Sequence, residues 1–586
     1  MTKIFEHAAH LPRWIGMLAL ALSCSACGQS GDHESLQVWT AKKIITMEPS
    51  NPVATAVALS DGKIVAIGSL DEVREKLGNS DYEVDDRFKD KVLLPGFIDP
   101  HLHPSLAATI LQLDIVSAMS WDTPKGLTQP VRGHRAFLSR VADLDRERPS
   151  EEWLLIWGYH SPYHGKLTRA DLDSVSLKRP IVIWQRSVHE IYMNTRALEE
   201  AGFSPEAFSE FPQADWDTGH IWESALFTLG QPIMRKLTSP SSYLDGLSQM
   251  SELLHRGGLT TVAEQGFPAL SPTAELLALH YEMWGGAAPY RFVLVPNAMY
   301  LTREHGSPAA AEEAAQKMLG YSTDSIRFVK HAKYYADGAI YSQLMQLSEP
   351  YLDGHQGEWL MSPELQKDVL ETFLRKGWDV HVHVNGDAGL DVILGQFSAF
   401  KDAHPDTKNR MILEHYGYAR DDQHRRLAEL GVEVSNNAYY VHELAPIYAE
   451  SGLGPERAAN ISPLGGLARE RVPFSFHSDF PMAPAKPLTL MWAAINRIGS
   501  DGLVWGEDQR VSVDLALRAI TIEGARSLGL EAEIGSLRPG KRADFTVLEE
   551  DPYGVAPQSI RDIQIWGTIL GGRIQPITRT TRSEPS

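Results

Sequence analysis

"LLPGFIDPHLHP" (residues 93–104) sets an apolar run against a Pro-Gly turn and two histidines one residue apart, His101 and His103. Alternate residues of a strand share a face, so a strand through this stretch would aim both imidazoles the same way. The pair alone says little. With 22 His in 586 residues, about one H-x-H is expected by chance, and a second occurs at His381 and His383. The meaning of the first depends on what the rest of the chain supplies, and in what order.

Downstream, short β-type runs alternate with helical stretches, the mark of a parallel α/β architecture. The expected strands are 96–99, 259–264, 291–296, 326–333, 378–384, 410–415, 432–436 and 472–479. Eight is the number that closes a (β/α)8 TIM-like barrel, here over 96–529. Spacing is regular except after the first, where residues 104–257 exceed any ordinary connection. This segment reads as a large insertion with strands of its own, "WLLIWGY" (153–159) and "PIVIWQR" (180–186). At the chain ends, 36–95 and 530–577 read as β structure, with a hairpin signal at Asp61-Gly62. Each is too short to fold by itself, and the two are expected to combine into one small β-sandwich. There is no internal repeat. The polar tail, 578–586, is expected to be disordered.

The composition is that of a globular protein, 43% hydrophobic and 22% charged, with a net charge of -20 and no long basic run. Phosphate binding needs clustered Lys and Arg, so nucleic acid is excluded as a partner. Both cysteines lie in the first 27 residues. Lys3 and Arg13 precede an apolar run, 14–22, too short to span a bilayer, and then comes "LSCSACGQSGD". Residues 1–27 resemble a bacterial lipoprotein leader lipidated at Cys27, with Cys24 as the second choice and a plain secretory signal as the alternative. The expected location is exported, on the periplasmic or cell-surface side and tethered by lipid. The mature chain then has no Cys ligand, and any metal must be held by His, Asp, Glu or Lys.

The ends of the expected strands carry such residues repeatedly: His101 and His103 on the first, Lys333 on the fourth, His383 on the fifth, His415 on the sixth and Asp479 on the eighth. In a (β/α)8 barrel these ends open on one face, so the residues would converge. Imidazole and carboxylate suit Zn²⁺ or a similar ion at about 2.0–2.2 Å.

At this point the chain resembles the amidohydrolase superfamily, and within it amidohydrolase family 3. The resemblance rests on "PGFIDPHLH", "KYYADGAIYSQ", "HVNGDAG", "LEH" and "HSDFP", in family order, followed by "GSLRPGKRADFTVL"; it covers about residues 40–575. "HEIYMNTRAL" (189–198) and "GHIWESAL" (219–226) match the same group. Val188 stands where a Gly usually precedes the His, and Glu264 where Asp is usual.

The resemblance implies one or two divalent ions, with zinc expected. His101, His103 and Asp479 would hold one, His383 and His415 the other. Lys333, matched through K-x-x-x-D-G in preference to Lys330, would bridge them as a carbamate formed with carbon dioxide. A free Lys, with a pKa of about 10.4, is a cation and no ligand. The alternative is an uncarbamylated Lys333 paired to a carboxylate beside a single ion. Asp479 would be general base and then acid in hydrolysis of an amide or other non-peptide C–N bond of a small molecule; its structural alternative is a helix N-cap. His189, Trp157, Tyr159, Glu223 and Asp337 are candidate substrate-binding residues, each with a scaffold alternative, as is Trp222. His381 is placed to support a ligand and Asp387 to order its loop. Rival functions are a one-metal deaminase on the same scaffold and a non-catalytic metal- or solute-binding lipoprotein. A homodimer is compatible with all of these.

Overall fold

The computed structural model describes residues 36–577, except 150–151, 231, 234–235, 237–238, 270 and 287. The leader at 1–27, with Cys24 and Cys27, and the tail at 578–586 lie outside the described residues. Among the described residues no helix is long and apolar enough to cross a membrane.

The chain ends meet in one seven-stranded sheet. Gln37–Ile45, Val53–Ser60, Lys63–Gly68 and Glu83–Pro95 are joined by Phe545–Leu548, Ile565–Leu570 and Arg573–Pro576. The junction is antiparallel, from Phe545 opposite Pro95 to Leu548 opposite Val92. Asp61 and Gly62 both take positive φ, 51° and 69°, as a two-residue hairpin matching the strand twist requires. Trp39 packs edge-on against Phe88 and Phe545, so one small core is built from both ends of the chain. The other face is covered by the helix Leu70–Leu77, whose Val73 packs on Val38, Ala56 and Ala66. Its N-terminus is closed by a capping box between Ser69 and Glu72.

Gly96 carries the chain from this sheet into the first parallel strand, Phe97–Leu102. A Cβ there would stand 2.0 Å from the Thr260 hydroxyl, so the Pro-Gly turn is a close approach that only glycine allows. All eight expected segments are strands, but they form two parallel ladders and not one closed sheet. The first ladder holds Phe97–Leu102, Leu259–Phe267, Arg291–Pro296 and Ile326–Phe328. The second holds His331–Tyr335, Asp379–Val384, Met411–His415, Glu433–Asn436 and Phe474–Phe476. The fourth segment is split between them. A lone parallel bridge, Asn297 to Lys333, spans that break. On the other side Asp479 N donates to His101 O and His103 N to Phe480 O, both at 2.9 Å.

The insertion leaves through the helix Pro104–Ile110 and returns through Pro240–Arg256, which packs on it. Between them lies a six-stranded sheet that includes Leu154–Tyr159 and Ile181–Gln185, the two strands expected from sequence, together with Glu190–Met193 and His220–Trp222.

Candidate active site

His101 and His103 point the same way, with their Nε2 atoms 3.2 Å apart. Each is held from behind by a carboxylate. His101 Nδ1 is 2.7 Å from Glu414 Oε2, and His103 Nδ1 is 2.8 Å from Glu264 Oε1. Asp479 closes the group, its Oδ1 3.2 Å from His103 Nε2 and 3.6 Å from His101 Nε2, its Oδ2 3.6 Å from His415 Nδ1. The His383 ring stands 4.3 Å from that of His415. Of the candidates, His101, His103, Lys333, His383, His415, Asp479, His189 and Glu223 all line one cavity of about 210 Å³.

Lys333 differs from its expected place. It lies inside its strand, in register with His381 and two residues below the level of His383. The split strand shifts the end of the ladder to Tyr335. The Lys333 amine is fully buried and has no hydrogen-bond partner among the described residues. Burial pushes its pKa down to about 8, against the pull of Glu414, Asp479 and Glu264.

This donor set fits a cation. With each Nδ1 tied to a carboxylate, the Nε2 lone pairs of His101 and His103 face one another and Asp479, a repulsive arrangement unless a cation or a proton intervenes. Burial opposes charge on His103, but Glu264 and Asp479 push its pKa up to about 10. Burial holds His101, His383 and His415 well below the usual imidazole range, helped at His101 and His383 by the Lys333 charge. That favours the neutral imidazole, the form that can bind a metal.

Several residues here were not singled out in the sequence. Glu414 serves three imidazoles, at 2.7 Å from His101, 2.6 Å from His381 and 3.3 Å from His477. Its pKa lies well below the usual carboxylate range despite burial, because of the hydrogen bonds it accepts from His101, His381 and His477. His381 thus stands behind Glu414, with its Nε2 2.9 Å from His331 Nδ1. His477 contributes a buried Nε2 without a partner among the described residues, and groups with His101 and His415. Its signal was the alternation in "HSD", His477 and Asp479 two apart. Glu264, noted in the sequence only as a departure from Asp, is the partner of His103.

The insertion supplies the opposite wall. His189 Nδ1 is 2.8 Å from Glu223 Oε2, and the His189 ring lies 6.3 Å from His383. Val188 adopts φ 63°, the left-handed conformation that glycine takes without strain, which accounts for the usual Gly before this His. Glu223, His415 and Asp479 share positive φ, so backbone strain gathers around the cavity.

Three expected substrate-binding residues are elsewhere. Trp157 packs on Trp121 and Arg186, and Tyr159 donates to Gly165 O at 2.6 Å; both belong to the interior of the insertion. Asp337 accepts the backbone N–H groups of Gln346, Asn385 and Gly386 and orders the loops beneath the site. Trp222 donates to Glu358, and Asp387 takes Ser348 and Arg420. Aromatic and acidic residues are common scaffold, and sequence alone does not tell which of them reach a cavity.

An α/β scaffold with paired imidazoles and a carboxylate at the ends of parallel strands offers a donor set of the kind metal-dependent hydrolases use. The chain belongs to the amidohydrolase family, whose family 3 profile matches residues 88–575. It is a hydrolase of carbon–nitrogen bonds other than peptide bonds. Among its relatives, the N-substituted formamide deformylase of Arthrobacter pascens is 26% identical over 554 residues, 90% of this chain and 96% of the relative. The Protein LONG AFTER FAR-RED 3 of Arabidopsis thaliana is 25% identical over 544 residues, 90% of each. An uncharacterized metal-dependent hydrolase from Pyrococcus horikoshii shares the fold, with a TM-score of 0.66 at 23% identity over 89% of this chain and 99% of that one.

Proposed function

We propose that the protein hydrolyses an amide or related C–N bond of a small molecule, giving an acid and an amine. His101, His103 and Asp479 would hold one divalent ion, and His383 and His415 a second, with Lys333 between them as a carbamate. The imidazole and carboxylate donors suit zinc. Such a centre, when loaded, supplies a Lewis acid for the scissile carbonyl and an acidified water.

The chain's own groups carry the rest. Asp479 accepts the proton of the attacking water and returns it to the leaving nitrogen, so that water and amide balance to acid and amine. His189, oriented by Glu223, faces the same cavity from the opposite wall and is placed to donate to the substrate carbonyl. Leu226, Met299 and Leu360 give the cavity an apolar side suited to a hydrophobic substituent. The named activity of the Arthrobacter relative makes N-substituted formamides the first class to assay. We further propose that the two parallel ladders are the halves of one (β/α)8 barrel, and that the leader exports the chain and anchors it through Cys27. Radiolabelled palmitate should then enter the wild type and not Cys27→Ala.

The observation that carries this reading is the convergence of the His101, His103 and Asp479 donor atoms within 4.8 Å of one another, in the cavity that Lys333 also lines. The test is to prepare residues 28–586 with Zn²⁺ and bicarbonate, count ions per chain by mass spectrometry, and follow formate release. Two ions per chain, fewer in Lys333→Ala, together with formate release support the reading. One ion indifferent to Lys333, with ammonia as product, would favour the one-metal deaminase. No retained ion would refute the metal centre.

A further inference from the structure

Arg186 follows the strand Ile181–Gln185 of the insertion and is 0% exposed. Its guanidinium is boxed by three aromatic rings, 4.7 Å from the centroid of Trp121, 5.0 Å from Trp157 and 4.5 Å from Tyr341. Nε and Nη2 reach the two carboxylate oxygens of Glu443 at 3.1 and 3.0 Å. Glu443 lies in the helix Tyr439–Ser451, so this pair ties the insertion to the parallel-strand scaffold.

One further contact gives the pair a purpose. Arg186 Nη2 also donates to the carbonyl of Met482. The Tyr341 hydroxyl stands 3.2 Å from that same oxygen and 3.0 Å from Glu443 Oε2. Met482 closes the turn that carries Asp479: its N–H donates to Asp479 O at 2.6 Å, and Ala483 N–H to Ser478 O at 3.0 Å. Asp479 has φ 54°, a conformation that persists only where its surroundings impose it. Its own N–H is bound to His101 O on one side, and the Arg186 group fixes the turn on the other.

Stability is a poor explanation for such a group. A buried ion pair gains little over well-packed apolar residues of the same volume, because both charges must be stripped of water. A planar fork that meets a carboxylate and a carbonyl at once does fix a geometry. We propose that Arg186, supplied by the insertion, is the positioning residue for Asp479, acting through Glu443, Tyr341 and the Met482 carbonyl. The inference rests on the role assigned to Asp479 above. It gives the insertion a part in setting the reaction geometry as well as in walling the cavity.

The test uses the mature chain with Arg186→Met, and with the double variant Arg186→Met/Glu443→Gln, which leaves no stranded buried carboxylate. Amide hydrogen exchange of peptides covering 477–484 is read without metal or substrate. Exchange there should rise about tenfold or more while peptides of the parallel strands keep wild-type rates and the melting temperature of the double variant stays close to wild type. With Co²⁺ bound, the visible absorption of both variants should change, and zinc affinity should fall about 10–100-fold, as when an outer-shell partner is lost. Arg186→Lys should not restore either, since a point ammonium cannot span Glu443 and Met482 together. Tyr341→Phe, a minimal change, should give a smaller rise in the same peptide. Wild-type exchange over 477–484 in the double variant, or in Tyr341→Phe if the double variant does not fold, would overturn the proposal. If the wild type binds no Co²⁺ at all, the metal reading fails, and hydrogen exchange still decides whether Arg186 holds the turn.

Discussion

His101 Nδ1 lies 2.7 Å from Glu414 Oε2, both fully enclosed, and the same carboxylate also takes His381 and His477. The contact fixes which nitrogen of His101 carries the proton and leaves Nε2 free to face Asp479 and His103. Glu414→Gln keeps the shape but offers one acceptor oxygen where three imidazoles need two. Its amide N–H groups would oppose the ring N–H groups. Zinc affinity should fall by about 10–100-fold, measured by competition with a chelator. An unchanged affinity would show that the carboxylate does not orient the site.

Acid should destabilise the protein through two histidines away from the site. His164 Nδ1 accepts the backbone N–H of His160 at 2.9 Å, and its Nε2 donates to Val131 O at 2.9 Å. A second proton has nowhere to go. Burial pushes His164 down to about 4; burial and the Arg186 charge push His160 to about 3. The unfolded chain takes up these protons near pH 6.5, well before the folded chain does. Stability contributed by the neutral rings is therefore complete above about pH 6.5 and is lost as pH falls towards 4 and 3. Melting temperatures across this range should drop steadily, and His164→Asn should flatten the slope. An equal slope in that variant would refute the assignment.

The insertion is docked by a glycine contact. A Cβ at Gly246 would stand 1.9 Å from Ala108 O, where the helix Pro240–Arg256 crosses Pro104–Ile110. Gly246→Ala must separate the two helices, at a cost of about 1–3 kcal/mol. Because Pro104 directly follows His103, zinc affinity should weaken along with the melting temperature. A variant that melts like wild type would mean the helices part without strain.

Much of this was readable from the sequence, for physical reasons. His101, His103, His383 and Asp479 stand out because hydrophobic runs and turn residues mark strands, and strand ends collect chemistry. The depth of Lys333 was not readable, since nothing in "IRFVKHAK" marks the break between Phe328 and His331. Glu414 was hidden by alternation. Neighbours on a strand face opposite ways, yet His415 turns at φ 75° and brings its ring to the same cluster. Arg186 was hidden by distance, because its carboxylate partner is 257 residues along the chain.

Asp479 separates an enzyme from a binding protein built on the same residues. Its two oxygens face His103 and His415, and its backbone is held in a strained turn from both sides. Asn at this position preserves size and one oxygen but cannot take a proton from water. A protein that only binds solute would keep its function with little loss. A hydrolase that depends on Asp479 for proton transfer should lose about 10²–10⁴-fold in turnover per bound zinc ion, with KM for the formamide nearly unchanged. Counting turnover per ion removes the part of the loss due to weaker zinc binding, since Asp479 is also a proposed ligand. Retention of wild-type kcat per ion in Asp479→Asn would assign the proton transfer to another group. His189, which lines the same cavity and is oriented by Glu223, would then be the next to test.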